Sequence, residues 1–378
     1  MKYWNARTRS LSPYIPGEQP RGQVFIKLNT NENPYPPSPK VLEAIQHATG
    51  ETLRLYPDPE STDLREAIAD AYGVKPSQVF AGNGSDEVLA FAFGAFFQED
   101  LLFPEVTYSF YPVYADLWEI PYRAIPLKED FSIDPDHYIT PSGGVVLANP
   151  NAPTGMALPP ENLRRIVEYH AREERVVLID EAYGIFADPD IRDGQLPNAT
   201  AESIPPKIGA LSMVSCIDEY PNLLTVHTLS KMGSLAGLRV GFAIGNEELI
   251  EGLRRIRDSF NSYPLDRLAQ AGGAAALRDM PYYKKIAATI ISTRNRVIQK
   301  LHALGFEVLP SQGNFIFARK PETSGAALQA FLREQGILVR RFNKSSIEDF
   351  LRITIGTDED MDALLKTLAA FDNTGVSL

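Results

Sequence analysis

From Gln78 to Phe242 the chain alternates short apolar runs with stretches whose apolar residues recur at helical spacing. Gln78-Val-Phe-Ala, Asp100-Leu-Leu-Phe, Tyr122-Arg-Ala-Ile, Val145-Val-Leu-Ala, Val176-Val-Leu-Ile, Leu223-Leu-Thr-Val and Val240-Gly-Phe-Ala have the length and composition of buried strands. Between several of them lie amphipathic segments such as Glu161-Asn-Leu-Arg-Arg-Ile-Val-Glu-Tyr-His170. That alternation predicts an α/β fold built on a doubly wound, mainly parallel sheet. Ligands of such sheets bind beyond the carboxyl ends of the strands.

The flanks read differently. Pro13, Pro16, Pro20, Pro34, Pro36 and Pro37 block regular structure, so residues 1–37 are expected to form an irregular arm. Ser38-Pro39 is a good start for a helix, Leu53–Pro59 reads as an extended loop, and a second helix is expected from Ser61-Thr62 to Tyr72-Gly73. Residues 246–304 are helical in pattern, with interruptions at Pro264 and Pro281. Beyond them Phe306-Glu-Val-Leu, Asn314-Phe-Ile-Phe and Phe350-Leu-Arg-Ile-Thr-Ile mix with two helices, which predicts a smaller C-terminal α+β domain. The expected division is an arm (1–38) packing with the small domain or a partner subunit, a large domain (39–265) and a small domain (266–378). The polar stretch 187–207 reads as an exposed insertion.

Composition changes this picture little. At 378 residues, 44% apolar and 22% charged, the chain is an ordinary globular protein with material for a large core. A net charge of −11 disfavours nucleic acid or an anionic membrane as partner, though local arginines can still hold a small anion. Cys216 is the single cysteine, which excludes an intrachain disulfide and a cysteine-cluster metal site; no metal is expected. The N-terminal residues lack the apolar region of a signal peptide, and the longest apolar stretch, Val88–Phe97, is too short to span a bilayer. A cytoplasmic location is expected.

Candidate chemistry gathers where strands are expected to end. After Leu223-Leu-Thr-Val come Thr228, Ser230 and Lys231, then a segment of small residues and Arg239. A buried lysine loses its proton more readily and becomes a nucleophile towards carbonyls, and arginine suits a phosphate; the alternative is a surface turn with two ordinary cations. Gly82-Asn-Gly-Ser-Asp-Glu87 follows a strand and opens a helix, which fits a phosphate cradle or a plain strand-to-helix turn. Asp180, directly after Arg175-Val-Val-Leu-Ile179, needs a cation or a protonated ring nitrogen if buried, or else caps a helix. Tyr183 lies three residues on. Asn149-Pro-Asn-Ala-Pro-Thr-Gly155 either aims an amide at the strand ends or is only a turn. Tyr108 places a ring near the same edge as packing or as a stacking face. Arg352, inside an apolar strand pattern, requires an anion, either an internal carboxylate or a substrate.

Taken together, Leu28-Asn-Thr-Asn-Glu-Asn-Pro34, Tyr56-Pro-Asp58, Asn151-Ala-Pro-Thr-Gly155, Asp180-Glu-Ala-Tyr183, Thr228-Leu-Ser-Lys231, Ala236-Gly-Leu-Arg239 and Leu351-Arg-Ile-Thr-Ile-Gly356 resemble the fold-type I, pyridoxal-phosphate-dependent aminotransferases. The resemblance covers nearly the whole chain. It implies a large sheet domain with a smaller C-terminal domain, and pyridoxal 5′-phosphate as cofactor. Lys231 is implied to hold the cofactor covalently, Asp180 to pair with its ring nitrogen, Tyr183 and an amide of the Asn151 loop to face its phenolic oxygen, and Tyr108 to stack on the ring. Gly84, Ser85, Asp86, Thr228, Ser230 and Arg239 are implied to hold its phosphate, with Tyr56 added from the other subunit of a homodimer. Arg352 is implied to bind a substrate carboxylate, and Arg340, Tyr14 and Asn33 its far end. Within the family the pattern is most similar to members that act on histidinol phosphate, with 2-oxoglutarate as acceptor, in histidine biosynthesis. An aromatic-amino-acid transaminase, a decarboxylase on the same scaffold and a non-catalytic binding protein are the alternatives. Many relatives carry Asn where this chain has Ala152, and Asn151 is one register away.

Overall fold

The computed structural model describes residues 2–20, 24–188 and 211–371. The strands among them are β1 (Ile26–Leu28), β2 (Val79–Asn83), β3 (Leu101–Pro104), β4 (Tyr122–Ile125), β5 (Val145–Ala148), β6 (Val177–Asp180), β7 (Leu223–Thr228), β8 (Val240–Gly245), β9 (Glu307–Val308), β10 (Phe315–Arg319), β11 (Ile337–Arg341) and β12 (Leu351–Thr354). Seven form a large sheet in the order β2-β8-β7-β6-β5-β3-β4, and five form a small sheet in the order β1-β11-β12-β10-β9. In the large sheet β8 alone opposes its neighbours, pairing antiparallel with both β2 and β7. The remaining pairs are parallel, so the mainly parallel sheet read from the alternation of elements is present.

Both faces of this sheet are covered, which explains why its strands read as continuous apolar runs. Val145, Leu147, Val177, Ile179 and Leu223 join the core on one face, and Val146, Leu178, Leu224 and Val226 join the core on the other. The side chains alternate sides along each strand.

Several local expectations need correction. The arm is not irregular throughout: Ala6–Ser10 is a short helix capped by Asn5, and β1 pairs in parallel with β11. Three residues free of proline suffice once a neighbouring strand offers its hydrogen bonds, and Ile26 N donates to Gly336 O at 2.9 Å. Such pairing leaves no periodic signal in so short a run. Leu53 and Arg54, the first two residues of the stretch expected to be extended, belong to a 3-10 turn, Glu51–Arg54. The interruption expected at Pro281 is present as a helix boundary: Arg267–Arg278 ends just before it, and Pro281 stands in the first turn of Met280–Ala303, where its missing N–H costs nothing. Of the polar stretch 187–207, only Ala187 and Asp188 lie within the described residues, and both are buried. The helix Arg267–Arg278 lies beyond the boundary expected at 265/266, yet it packs on the helices Pro39–Ala48 and Thr62–Tyr72 of the large-sheet layer. Gly272 and Gly273 permit that close approach, beside Ile45 and Leu64.

Candidate active site

Parallel pairing brings the carboxyl ends of three strands together: Ala148 lies opposite Asp180, and Asp180 opposite Val226, two residues before Thr228. A cavity of about 330 Å³ opens there, closed on its other side by the arm and the small sheet. Ala148, Asp180, Tyr183, Thr228, Ser230, Lys231 and Arg239 line the strand-end wall. Tyr14, Asn29, Thr30, Asn31, Arg340 and Arg352 line the opposite one.

Lys231 follows directly on β7. Thr228 Oγ1 accepts from Ser230 N at 3.1 Å and starts the one-turn helix Leu229–Met232 that carries the lysine. Lys231 Nζ donates to Thr30 O at 2.9 Å. Burial, then the neighbouring Arg352, lowers its pKa to about 8, against a smaller opposing pull from Glu32 and Asp86. Free amine is therefore available close to neutral pH.

Asp180 is a buried carboxylate with no cation beside it among the described residues. Its Oδ2 accepts from Tyr111 Oη at 3.0 Å and its Oδ1 from Ala182 N at 3.1 Å. Those bonds do not offset the loss of water, and burial raises its pKa to about 6. A ligand bearing a protonated ring nitrogen would supply the missing charge. Glu181 turns to the far side of the strand, where Oε1 accepts from Met213 N at 2.7 Å and Oε2 lies 4.0 Å from His227 Nδ1.

At the other end of the cavity the helix Gly84–Phe96 begins. Asp86 there accepts from Tyr108 Oη at 2.8 Å and from Arg239 Nη2 at 2.9 Å, and Arg239 Nη1 reaches Ser230 Oγ at 3.3 Å. Gly84 has φ +82°, and a Cβ on it would stand 2.5 Å from the Arg239 guanidinium. A Cβ on Gly241 would stand 2.2 Å from Ser85 N. Glycine is required at both places, and the result is a tight cluster of hydroxyls, helix-start N–H groups and one guanidinium suited to a phosphate.

On the small sheet, Arg340 of β11 lies directly opposite Arg352 of β12, so both side chains leave the same face. Arg352 Nη2 donates to Asn29 O at 3.0 Å and its Nε has no partner. It forms no ion pair among the described residues, so the internal carboxylate considered for it is not there. Burial lowers its pKa. Arg340 Nη2 donates to Ile15 O at 3.1 Å. Tyr14 stacks on Phe110 with ring centroids 4.3 Å apart.

Four candidates do not line the cavity of their own chain; one of them, Gly84, is the turn at its edge. Asn151 is fully engaged behind the wall: Oδ1 accepts from Thr107 Oγ1 at 2.8 Å, and Nδ2 donates to Val106 O and to Thr154 Oγ1. Ala152 takes its place at the surface of the cavity. Asn33 instead donates from Nδ2 to Lys231 O at 3.1 Å. Tyr56 is 78% exposed, stacked on Tyr263 at 4.5 Å.

The sequence pattern of the family described as "Aminotransferase class I and II" matches residues 23–368. The chain belongs to that family. Its relatives include histidinol-phosphate aminotransferase 1 of Bordetella parapertussis, 52% identical over 97% of this chain and 98% of the relative. Histidinol-phosphate aminotransferase 2 of Thiobacillus denitrificans is 51% identical, covering 98% of each chain. The crystal structure of histidinol-phosphate aminotransferase from Sinorhizobium meliloti in complex with pyridoxal-5′-phosphate is 24% identical, with a TM-score of 0.81 over 99% of this chain and 98% of that one. At that identity the last likeness speaks for the fold.

For an aminotransferase the pocket holds residues that sequence reasoning passed over. Asn29, Thr30 and Asn31 lie within a quoted motif, in the stretch read as an irregular arm, and have no role assigned there. In the structure, consecutive residues of that loop meet Arg352, Lys231 and Tyr183: Asn29 O and Thr30 O accept from the two cations, and Asn31 Nδ2 donates to Tyr183 Oη at 3.0 Å. The clustering of three asparagines before Pro34 was the available signal. Tyr111 was missed as well; its place in the first turn of the helix Phe110–Trp118 sets its hydroxyl beneath Asp180.

Proposed function

We propose that this aminotransferase uses pyridoxal 5′-phosphate to move an amino group from histidinol phosphate to 2-oxoglutarate. The observation that carries the substrate assignment is the register that sets Arg340 beside Arg352 on the wall facing Lys231 and Asp180. Two side-by-side guanidiniums fit the phosphomonoester of an amino donor and the carboxylates of glutamate and 2-oxoglutarate. Relatives about half identical over nearly the full chain bear the matching name. The donor set fits the cofactor: the Gly84, Ser85, Asp86, Thr228, Ser230 and Arg239 cluster for its phosphate, Asp180 for its ring nitrogen, Tyr183 for its phenolic oxygen, Tyr108 for its ring face and Lys231 for its carbonyl carbon.

When bound, pyridoxal phosphate supplies an electron sink conjugated to the substrate nitrogen. The chain does the rest. Asp180 keeps a proton on the ring nitrogen, and its burial makes that charge pair strong. With the cofactor bound, Lys231 Nζ would take and hold the proton of the substrate α-carbon, a task suited to an amine with a pKa of about 8. Arg352 binds the carboxylate of glutamate and 2-oxoglutarate, and Arg340 with Tyr14 holds the phosphate end of histidinol phosphate. Asn33 acts at one remove, by fixing the backbone of Lys231.

The active enzyme is read as a cytoplasmic homodimer. Tyr56, Leu53, Leu55 and Phe260 are at least half exposed, an apolar surface beside Tyr263 that a second copy of the chain would cover while Tyr56 reaches the neighbouring phosphate. No helix among the described residues is long and apolar enough to cross a membrane. The presence of two sheets supports a division into a large and a small domain, and the β1–β11 pairing supports an arm that packs with the small one.

The test is product analysis with histidinol phosphate and 2-oxoglutarate. Formation of imidazole acetol phosphate and glutamate is expected. Turnover of unphosphorylated aromatic amino acids at an equal or higher kcat/KM would transfer the assignment to an aromatic-amino-acid transaminase.

A further inference from the structure

We propose that Asn31 is the positioning residue that turns the Tyr183 hydroxyl proton into the cavity, compensating for the amide this chain lacks at Ala152. The inference rests on the cofactor reading above. Ala152 presents only a methyl group to the cavity, and both ends of the Asn151 amide are engaged elsewhere. Asn31 is 1% exposed and lines the same cavity.

The direction of each hydrogen bond is set from behind. Asn31 N donates to Thr354 Oγ1 at 2.9 Å, and that hydroxyl donates its own proton to Asn31 Oδ1 at 3.0 Å. With Oδ1 occupied, Nδ2 faces Tyr183 and donates to its hydroxyl oxygen at 3.0 Å. A phenol that accepts there keeps its own proton for a different acceptor. Burial raises the Tyr183 pKa, so that proton is retained. A reversed amide would take the Tyr183 proton and leave the cavity without it. Reversal is opposed because Oδ1 would lose the Thr354 proton. Asn314 Nδ2 also donates to Asn31 O at 3.1 Å and holds the backbone. Asn31 has φ +55°, a conformation asparagine tolerates well. The acceptor on the cavity side is the negatively charged phenolic oxygen of the bound cofactor. Stabilising that oxygen lowers the proton affinity of the nitrogen that links the cofactor to Lys231.

The experiment is a pH titration of the visible absorption of the cofactor-loaded protein, with thermal unfolding measured in parallel. Asn31→Gly suits the left-handed backbone and removes the amide. The spectral midpoint is expected to rise by about one pH unit, the effect of weakening the hydrogen bond that an unoriented Tyr183 donates to a charged oxygen. Adding Ala152→Asn to that variant should return the midpoint towards the wild-type value, a rescue that a merely structural role would not give. Thr354→Val frees the amide to turn and should raise the midpoint by a smaller amount. Should Asn31→Gly fail to fold, Thr354→Val decides the question. An unchanged midpoint in Asn31→Gly, whatever its thermal stability, would overturn the proposal, as would an unchanged midpoint in Thr354→Val. A wild-type protein that forms no visible band removes the cofactor reading and this inference together; a normal band with unmoved midpoints removes this inference alone.

Discussion

The two walls of the cavity are built on different principles. The strand-end wall takes Asp180 and Lys231 from neighbouring strands of one parallel sheet, so their spacing follows from strand register and hardly depends on side-chain contacts. The opposite wall is assembled from an arm loop and two antiparallel strands; Arg352 and Thr354 of β12 bond the loop, and the loop meets the first wall where Lys231 donates to Thr30 O and Asn31 donates to Tyr183. Charge divides the same way. The strand-end wall holds a carboxylate and an amine whose pKa values have been pushed towards neutrality, to about 6 and about 8. The arm wall holds the guanidiniums of Arg340 and Arg352. Apart from its phosphate cluster around Arg239, the first wall is equipped to move protons, and the other to recognise the anions of the substrate.

That division can be broken by mutation, and the largest effect is expected at Lys231. Lys231→Ala should lower turnover by about four orders of magnitude or more, because the chain loses both its covalent attachment point and its proton carrier. Borohydride should fix cofactor to the wild-type chain at Lys231; peptide mapping that found the adduct on another residue would reject the assignment.

Asp180→Asn should reduce turnover by about three orders of magnitude and have an opposite effect on the cofactor-free fold. A carboxylate whose folded pKa is raised from 3.8 to about 6 favours the folded state least when ionised. Its destabilisation is absent below pH 4, grows through the interval from 4 to 6, and is complete above it. Removing the charge should therefore stabilise the cofactor-free protein by about 2–3 kcal/mol at pH 7 and by nothing at pH 4. Denaturant melts at both pH values check this; equal stabilisation at the two would show that packing, not charge, is responsible.

On the arm wall, Arg340→Ala should raise KM for histidinol phosphate by one to two decades, the effect of losing a charge-assisted contact of roughly 1.5–3 kcal/mol, and leave 2-oxoglutarate within a few-fold. Equal impairment of both substrates would mean that the wall does not sort its two anions. The smallest effect is expected for Asn33→Ala. One neutral hydrogen bond to the Lys231 backbone is worth about 1 kcal/mol, so kcat should fall less than tenfold with KM unchanged. A larger loss would show that the arm controls the lysine directly.

Legibility in the sequence follows the same divide. β5 coincides with the apolar run Val145–Ala148, because a strand buried on both faces has to be apolar at every position, whereas β4 coincides with Tyr122-Arg-Ala-Ile although it is a largely exposed edge strand. Asp180 and Lys231 stood out for a related reason: an ionisable residue next to such a run is physically costly and invites explanation. The arm wall gave no such contrast. β1 is three residues long, and Asn29, Thr30 and Asn31 act partly through carbonyl groups that any residue possesses. Asn151 misled because a sequence shows that an amide is present but not that Thr107, Val106 and Thr154 already engage it. Arg340 and Arg352 lie twelve residues apart, and only the antiparallel register makes them neighbours.

The single reversed strand of the large sheet has a consequence for biosynthesis. β2 is translated at residues 79–83, but the strand that covers its edge, β8, follows about 160 residues later. At roughly 5–20 residues per second, the ribosome takes about 8 to 30 seconds to supply it. Throughout that interval the backbone groups that β2 pairs with β8 have no strand partner, and the apolar side chains around them lack their cover. An unpaired apolar edge invites pairing with other nascent chains. A nascent chain halted near residue 230 should accordingly be retained by chaperones, and one extended past residue 245 with enough further length to clear the exit tunnel should be released from them.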